Sequence, residues 1–236
     1  IINDACNGLD SVNSERVYND TLRNLFDGVP ASDVSPTVVL SARGLIDSEP
    51  QYSQVAARLL LDELRTETLT FIDDGSPTAT YIEMADRYPQ YFHQYVKKAA
   101  ELELLDTELL KFDFKKLGDA LKPERDHLFT YLGLQTLYDR YFIHHEECRF
   151  ELPQAFFMRV SMGLAINEVH REERAIEFYN LLSSFDFMSI TPTLFNSGTL
   201  RPQLSSRSLT TIPDDLDGIF TALKDDAISP IFPGCL

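Results

Sequence analysis

Hydrophobic residues recur every three or four positions over most of the first 186 residues, which is the spacing of a helix with one buried face. The stretch "SERVYNDTLRNLFDG" predicts the first such helix, with Ser14 as its N-cap and Gly28 at its end. Its predicted apolar face consists of Val17, Leu22, Leu25 and Phe26.

Two more helices are predicted after a turn at "VPASD", in "VVLSARGLI" and "YSQVAARLLLDELRTETL". The second has an apolar face made of Val55, Leu59, Leu60 and Leu64. Turn-forming residues in "FIDDGSPTAT" then predict a domain boundary near residue 73.

Further helices are predicted between residues 81 and 186, where Pro89, Pro123 and Pro153 are expected to start or break them. The helical periodicity ends near residue 187. "FMSITPTLF" and "SSRSLTTI" favour strands, "NSGTLRPQ" favours a turn between them, and "PDDLDGIFTALKDDA" predicts a helix that begins near Pro213 or Asp214. This order suggests the first unit of an α/β domain.

The composition narrows the classes of function. A hydrophobic content of 44% supports a globular core, and a net charge of -16 without a basic run argues against binding a nucleic-acid polymer, although a local pocket could still bind a single nucleotide. No apolar run reaches the roughly 18 residues of a membrane span, and no secretory signal opens the sequence, so the cytoplasm is expected.

Three scattered cysteines argue against a disulfide framework or a zinc site, and Cys6 is expected to be a small buried side chain.

Several segments that resemble functional sites are explained equally well or better by an ordinary structural role. "HHEE" at 144–147 offers metal-ligand types without the helical spacing that a metal motif uses, so we expect a polar turn and no metal. His93 and His170 are expected at the surface, and the aromatic residues of "RYPQYFHQYV" and "LYDRYF" in the core. "DDLD" at 214–217 fits a cation site and an ordinary acidic helix start equally well.

Four segments resemble a known family: "GLQTLYDRYFI", "ELPQAFFMRVSMGLA", "TPTLFNSGTLRPQLSS" and "LTTIPDDLDGI". They are similar, in order, to the N-terminal part of the large, catalytic subunit of class I ribonucleotide reductase. The resemblance implies a mainly α fold: an ATP-cone-like helical remnant over 1–72 and a helical N-terminal domain over 73–186. Residues 187–236 would then be the incomplete start of a ten-stranded α/β barrel.

The resemblance also implies radical-based reduction of ribonucleoside diphosphates. By motif, Thr193 and Ser206 match substrate-binding residues and Asp214 matches a residue of the specificity-effector site. The family uses ATP or dATP and deoxynucleoside triphosphates as effectors, and a radical from a metal-containing small subunit. We therefore expect the small subunit, nucleotides, and either self-association or a barrel-completing polypeptide as partners, with no cofactor bound by this chain itself.

Arg207 departs from this family, because the motif "LSSC" places the first redox cysteine where this chain reads "LSSR". Arginine can neither donate thiol electrons nor form a disulfide, so we predict no catalytic residue here and no activity for the chain alone. The other catalytic residues, and the front of the ATP cone, are expected outside this sequence. The tail "ISPIFPGCL" replaces a glycine-rich family segment.

Three interpretations follow. The chain is part of a truncated or split large subunit, or it is a non-catalytic paralogue that binds a reductase subunit as regulator or decoy. The third is that residues are omitted or misassigned at 207–208 and 229–236.

Overall fold

The computed structural model describes residues 1–72, 78–205 and 211–228, and within them the chain is mainly helical. The first helices are α1 (Ile2–Cys6), α2 (Ser14–Asn24), α3 (Ala31–Gly44), α4 (Tyr52–Ile72) and α5 (Tyr81–Glu101). The central elements are α6 (Phe114–Ala120), α7 (Tyr131–Arg140) and the hairpin of β1 (His144–His145) with β2 (Cys148–Arg149). The last helices are α8 (Pro153–Ala165), α9 (Arg171–Ser183), α10 (Thr191–Asn196) and α11 (Leu216–Ile228). Thr107–Lys111 and Pro123–Leu128 form 3-10 turns.

The first predicted helix exists, but its cap and its buried face differ from the prediction. Asn13 caps α2, because its side chain accepts a hydrogen bond from the Glu15 amide, and Ser14 is already helical. Val17 is buried as predicted, whereas Leu22 and Phe26 are exposed. The buried face of α2 is determined by packing against α3 and α1, and not by the spacing of apolar residues alone.

The turn before α3 is shorter than predicted. The helix begins at Ala31, so that three of the five residues of "VPASD" are helical. The predicted face of α4 is confirmed: Val55, Leu59, Leu60 and Leu64 are all buried.

Pro89 lies inside α5, so the prediction that it starts or breaks a helix is wrong. A capping box between Thr80 and Glu83 fixes the start of α5 at Tyr81, eight residues before Pro89. Helix α6 packs closely on the proline, where a Cβ on Gly118 would lie 2.9 Å from Pro89 Cβ. These local and tertiary contacts outweigh the loss of one backbone hydrogen bond. Pro123 and Pro153 stand at the starts of their helices as predicted.

The core is centred on α8, which is buried on nearly all sides and packs against α9, α5 and α10. The aromatic residues of α5 also belong to the core, as predicted: Tyr88, Tyr91, Phe92 and Tyr95 are buried. Tyr141, from the second aromatic segment, is half-buried and stacks on Phe195 with 4.5 Å between ring centroids.

The strand predicted in "FMSITPTLF" is wrong. Residues 187–190 form no strand and residues 191–196 form helix α10, whose first turn holds Pro192. Proline suits a helix start, and this outweighs the strand preference of the β-branched neighbours. Residues 206–210 of the second predicted strand lie outside the described residues. The barrel start therefore stays a prediction, while the mainly helical fold is confirmed.

The helix predicted in "PDDLDGIFTALKDDA" is confirmed as α11. Asp215 stabilises its start by accepting a 2.8 Å hydrogen bond from the Gly218 amide.

The "HHEE" segment forms the polar turn that was predicted, between β1 and β2, with Glu146 at φ 54°. Among the described residues, no group of three or more His, Cys, Asp or Glu could hold a metal ion. None of the described helices has the length and apolarity needed to cross a bilayer. His93 and His170 are exposed, as predicted, whereas Cys6 is only half-buried.

Candidate functional site

Thr193, the first of the two residues predicted to bind substrate, lies in the segment 191–205, which packs directly on α8. Ser197 anchors it by donating a 2.7 Å hydrogen bond from its hydroxyl to the Val160 carbonyl. The backbone then turns through Gly198 at φ +80°, a conformation that favours glycine. This close approach requires Gly163 on α8, because a Cβ there would lie 2.1 Å from the Gly198 amide nitrogen.

A buried guanidinium fixes the same segment. Arg159 of α8 donates from one terminal nitrogen to the Leu194 carbonyl at 3.0 Å and to the Ser197 carbonyl at 2.9 Å. Its Nε and its other terminal nitrogen donate to the two carboxylate oxygens of Glu151 at 2.9 and 3.1 Å. Both side chains of this ion pair are 0% exposed. Arg159 therefore links the core to the backbone of α10.

Glu151 has further partners that hold its charge in place. The Tyr95 hydroxyl donates to one carboxylate oxygen and the Ile143 amide donates to the other at 2.8 Å. Burial and then the Glu151 charge raise the pKa of Tyr95 well above its ordinary value. Burial alone would lower the pKa of Arg159, but the Glu151 carboxylate outweighs it and the net shift is upward. Arg159 is therefore charged and Tyr95 neutral at physiological pH.

Thr193 lies in this anchored segment and is buried. Its hydroxyl donates to the Leu204 carbonyl at 3.2 Å, and the Asn196 side chain donates to the Gln203 carbonyl at 2.7 Å. These bonds bring residues 203–204 back alongside α10. Ser206 and Arg207 follow directly in sequence, but both lie outside the described residues. Asp214 is exposed, in the segment that precedes α11.

Known proteins are similar to this chain over the region that contains the site. Residues 127–202 match the family model described as "Ribonucleotide reductase, all-alpha domain". The ribonucleoside-diphosphate reductase subunit alpha of Chlamydia trachomatis is 45% identical over 206 residues, which are 87% of this chain and 19% of the relative. The subunit alpha of Helicobacter pylori is 34% identical over 234 residues, 98% of this chain and 28% of the relative.

The chain belongs to the ribonucleotide reductase large-subunit family. Similarity reaches beyond bacteria, since the large subunit of Danio rerio is 32% identical over 228 residues, 94% of this chain and 27% of the relative. The chain spans between 19% and 28% of the length of these relatives. The matched residues 127–202 include Glu151, Arg159, Thr193 and most of the 191–205 segment.

The sequence analysis did not predict the Glu151–Arg159 pair. A signal was present: within "ELPQAFFMRVSMGLA" the only charged residues are a glutamate and an arginine eight positions apart, in an otherwise apolar run. Charged residues in such a run are buried only when they are paired.

A second buried polar network lies among helices α5, α8 and α9 and the 3-10 turn Pro123–Leu128. Asp126 accepts hydrogen bonds from the Tyr88 hydroxyl at 2.9 Å and from the Gln154 amide at 2.7 Å. The Tyr179 hydroxyl donates to Gln154 at 2.6 Å. Burial raises the pKa of Asp126 to about 6, although both hydrogen bonds act in the opposite direction.

Asp126→Asn is expected to flatten the pH dependence of stability. Because the folded-state pKa of Asp126 is raised above its unfolded value, its protonated form favours folding, and this contribution is lost as pH rises from about 4 through about 6. Across that window the wild type should lose up to about 1.4 kcal/mol per pH unit relative to the variant. Urea unfolding at pH 4, 5, 6 and 7 measures this. Parallel curves for the two proteins would contradict it.

Proposed function

We propose that this chain forms the helical N-terminal part of a class I ribonucleoside-diphosphate reductase large subunit, which reduces ribonucleoside diphosphates to deoxyribonucleoside diphosphates by radical chemistry. The observation that carries the proposal is the similarity itself. It extends over 98% of the chain with the Helicobacter pylori subunit alpha, and thus includes the anchored 191–205 segment.

The proposed site roles follow from the motif positions. Thr193 and Ser206 would contribute backbone and hydroxyl groups to a substrate diphosphate or ribose, and the Asp214 carboxylate would accept hydrogen bonds from an effector's ribose. The Arg159 anchor supports the first assignment, because it fixes the backbone around Thr193. The exposure of Asp214 supports the second, because an effector has access to it.

Exposed apolar side chains support the proposal that further polypeptide packs on this region. Phe187, Met188 and Ile190 are exposed immediately before α10, and Ile219, Phe220 and Leu223 are exposed on α11. Each of these two groups is an exposed apolar patch of the kind that marks an interaction surface. The proposed occupant is the rest of the barrel, in the same or a separate polypeptide. Further proposed partners are the radical-generating small subunit and the family's nucleotide effectors, in the cytoplasm.

The second candidate function, a non-catalytic regulator or decoy that binds a reductase subunit, is favoured by Arg207. A chain that contributes to turnover needs a thiol at the first redox position, and arginine cannot supply one.

An assay of a chimera distinguishes the two functions. In the chimera, this chain replaces the corresponding part of the Helicobacter pylori subunit alpha. With the small subunit, effector and a dithiol reductant, we expect no multiple turnover of CDP by the chimera with Arg207. Arg207→Cys is expected to restore turnover, because the redox pair is then complete. The readout is dCDP formed per large subunit.

Arg201→Cys is the matched control, since it adds a cysteine six residues away without completing the motif. Turnover with Arg207 in place would overturn the prediction of inactivity. If Arg207→Cys also fails to turn over while the chain still binds a reductase subunit, the decoy function is supported.

A further inference from the structure

The only Asn-Gly pair in the sequence, Asn7 and Gly8, forms an exposed turn directly after α1. Gly8 adopts φ +75°, a conformation that favours glycine. A Cβ placed on Gly8 would meet no atom within 4 Å, so the backbone of the turn is not crowded by neighbouring elements. The Asn7 carboxamide and the backbone nitrogen of Gly8 are therefore adjacent groups in an open part of the surface.

These two groups are also free of hydrogen bonds. Among the described residues, no acceptor binds the Gly8 amide and no partner binds the Asn7 carboxamide. Asn196 provides a contrast, because its carboxamide donates to a backbone carbonyl at 2.7 Å and the amide of the following Ser197 donates to a carbonyl of α10 at 3.1 Å. The Asn196 side chain is thus fixed, whereas the Asn7 side chain can rotate towards the Gly8 nitrogen.

Arg58 of α4 contacts the same peptide unit. One of its terminal nitrogens donates to the Asn7 carbonyl at 2.7 Å and to the Ala5 carbonyl at 2.9 Å. The Asn7 carbonyl is conjugated with the Gly8 nitrogen, so negative charge spreads onto this oxygen when the nitrogen loses its proton. In the described ranges no carboxylate forms an ion pair with Arg58, and its charge is available to stabilise that anion.

We propose that Asn7 is a covalent modification site, at which the Gly8 nitrogen attacks the side-chain amide carbon while Arg58 stabilises the deprotonated peptide unit. Glycine suits the attacking position, since it has no side chain to hinder the nitrogen. The site does not depend on the reductase function proposed above.

The reaction has two steps, and water is its co-reactant. In the first step hydroxide removes the Gly8 amide proton, the nitrogen bonds to Asn7 Cγ, and the bond from Cγ to Nδ2 breaks. The departing nitrogen takes a proton from water and leaves as ammonia. In the second step water adds to one carbonyl of the resulting succinimide ring and breaks its bond to the ring nitrogen. The products are aspartate or isoaspartate, for a net uptake of one water and loss of one ammonia.

The products change the contact that holds α1. Arg58 joins the end of α1 to α4 through the Ala5 and Asn7 carbonyls. Isoaspartate inserts the β-carbon of residue 7 into the main chain, and both products add a carboxylate beside Arg58. The modification therefore displaces one of the two carbonyls that Arg58 binds.

Peptide mapping by mass spectrometry of the full chain, incubated at neutral pH either folded or in guanidinium chloride at matched ionic strength, tests the proposal. We expect aspartate and isoaspartate to form at position 7 faster in the folded chain than in the denatured chain, and faster still at alkaline pH. Asn196 should stay intact in the folded chain and react in the denatured chain. A folded chain that keeps Asn7 intact while the denatured chain converts it would overturn the proposal.

Arg58→Met tests the role assigned to the arginine. In the folded state we expect this variant to slow the reaction at least about threefold, a smaller effect than in a closed active site because water competes at an exposed turn. Arg174→Met is the matched control and should react like the wild type, since Arg174 is exposed on α9 and pairs with Glu177. In guanidinium chloride all three proteins should react equally. An unchanged rate in folded Arg58→Met, or equal slowing in both variants, would show that Arg58 does not activate the site.

A second comparison covers the case in which circular dichroism shows Arg58→Met to be unfolded. Exposure alone cannot make the folded chain react faster than a denatured chain, in which both groups are fully accessible. A wild-type rate that is higher folded than denatured therefore requires activation by the fold. A folded rate no higher than the denatured rate would overturn the role of Arg58.

Discussion

Replacing Arg159 with methionine is expected to lower the free energy of unfolding by about 3–5 kcal/mol, because it leaves Glu151 buried and unpaired. Methionine keeps much of the side-chain length, so that a cavity contributes little to the loss. The variant also leaves the Leu194 and Ser197 carbonyls without their Arg159 donor. The effect should thus reach α10 as well as the core.

Chemical denaturation of wild type and variant at pH 7 measures this loss. Arg174→Met is the matched control, because Arg174 forms an exposed pair with Glu177, with the side chains 51% and 55% exposed, and such pairs contribute about 0–1 kcal/mol. The double variant Glu151→Gln, Arg159→Met should recover part of the stability, since no buried charge then remains. A loss for Arg159→Met no larger than that of the control would show that the pair does not hold the fold.

The helices were predictable because their buried faces repeat with the helical period. Val55, Leu59, Leu60 and Leu64 form an uninterrupted stripe on α4, and all four are buried. On α2 the same logic failed for Leu22, which is exposed because only one side of that short helix meets neighbouring helices. Phe26 is exposed as well, and it lies beyond the helix end at Asn24. Periodicity identifies a helix, whereas tertiary packing decides which residues it buries.

The strand predicted over 187–195 failed for a related reason. Ile190, Thr191, Thr193 and Phe195 have the β-branched and aromatic character of a strand, but Pro192 fits the first turn of a helix and Phe195 stacks on Tyr141. Strand preference depends on having a partner strand. Among the described residues 187–205, the one bridge to another segment is the isolated pair Leu105 and Thr199.

From the sequence alone, the network that holds the candidate site in place was detectable only as two charged residues in an apolar run. Glu151 and Arg159 stand out in an apolar run, but their pairing, and the bonds from Arg159 to α10, depend on how α8 packs. Thr193 was recognisable by motif, whereas its bond to the Leu204 carbonyl was not. The sequence therefore predicts candidate residues of the site, whereas the contacts that hold them in place depend on tertiary packing.

Gly163→Ala is expected to destabilise the fold by about 1–3 kcal/mol or more, even though alanine favours a helix over glycine by about 1 kcal/mol. The added Cβ would lie 2.1 Å from the Gly198 amide nitrogen and 2.3 Å from the Ser197 hydroxyl oxygen. The Gly198 nitrogen is backbone, and Arg159 holds the neighbouring Ser197 carbonyl in place. The clash can be relieved only if α8 and the 191–205 segment move apart.

Gly133→Ala provides the control, because a Cβ there meets no atom closer than 3.5 Å on the exposed side of α7, and this variant should be neutral or more stable by up to about 1 kcal/mol. Thermal and urea unfolding compare the two variants. If the anchored segment also positions substrate, Gly163→Ala in the Arg207→Cys chimera should reduce CDP turnover under conditions where the protein remains folded, while Gly133→Ala should not. Unchanged stability of Gly163→Ala would mean that the 191–205 segment yields easily, and that its fixed position on α8 is not what presents Thr193.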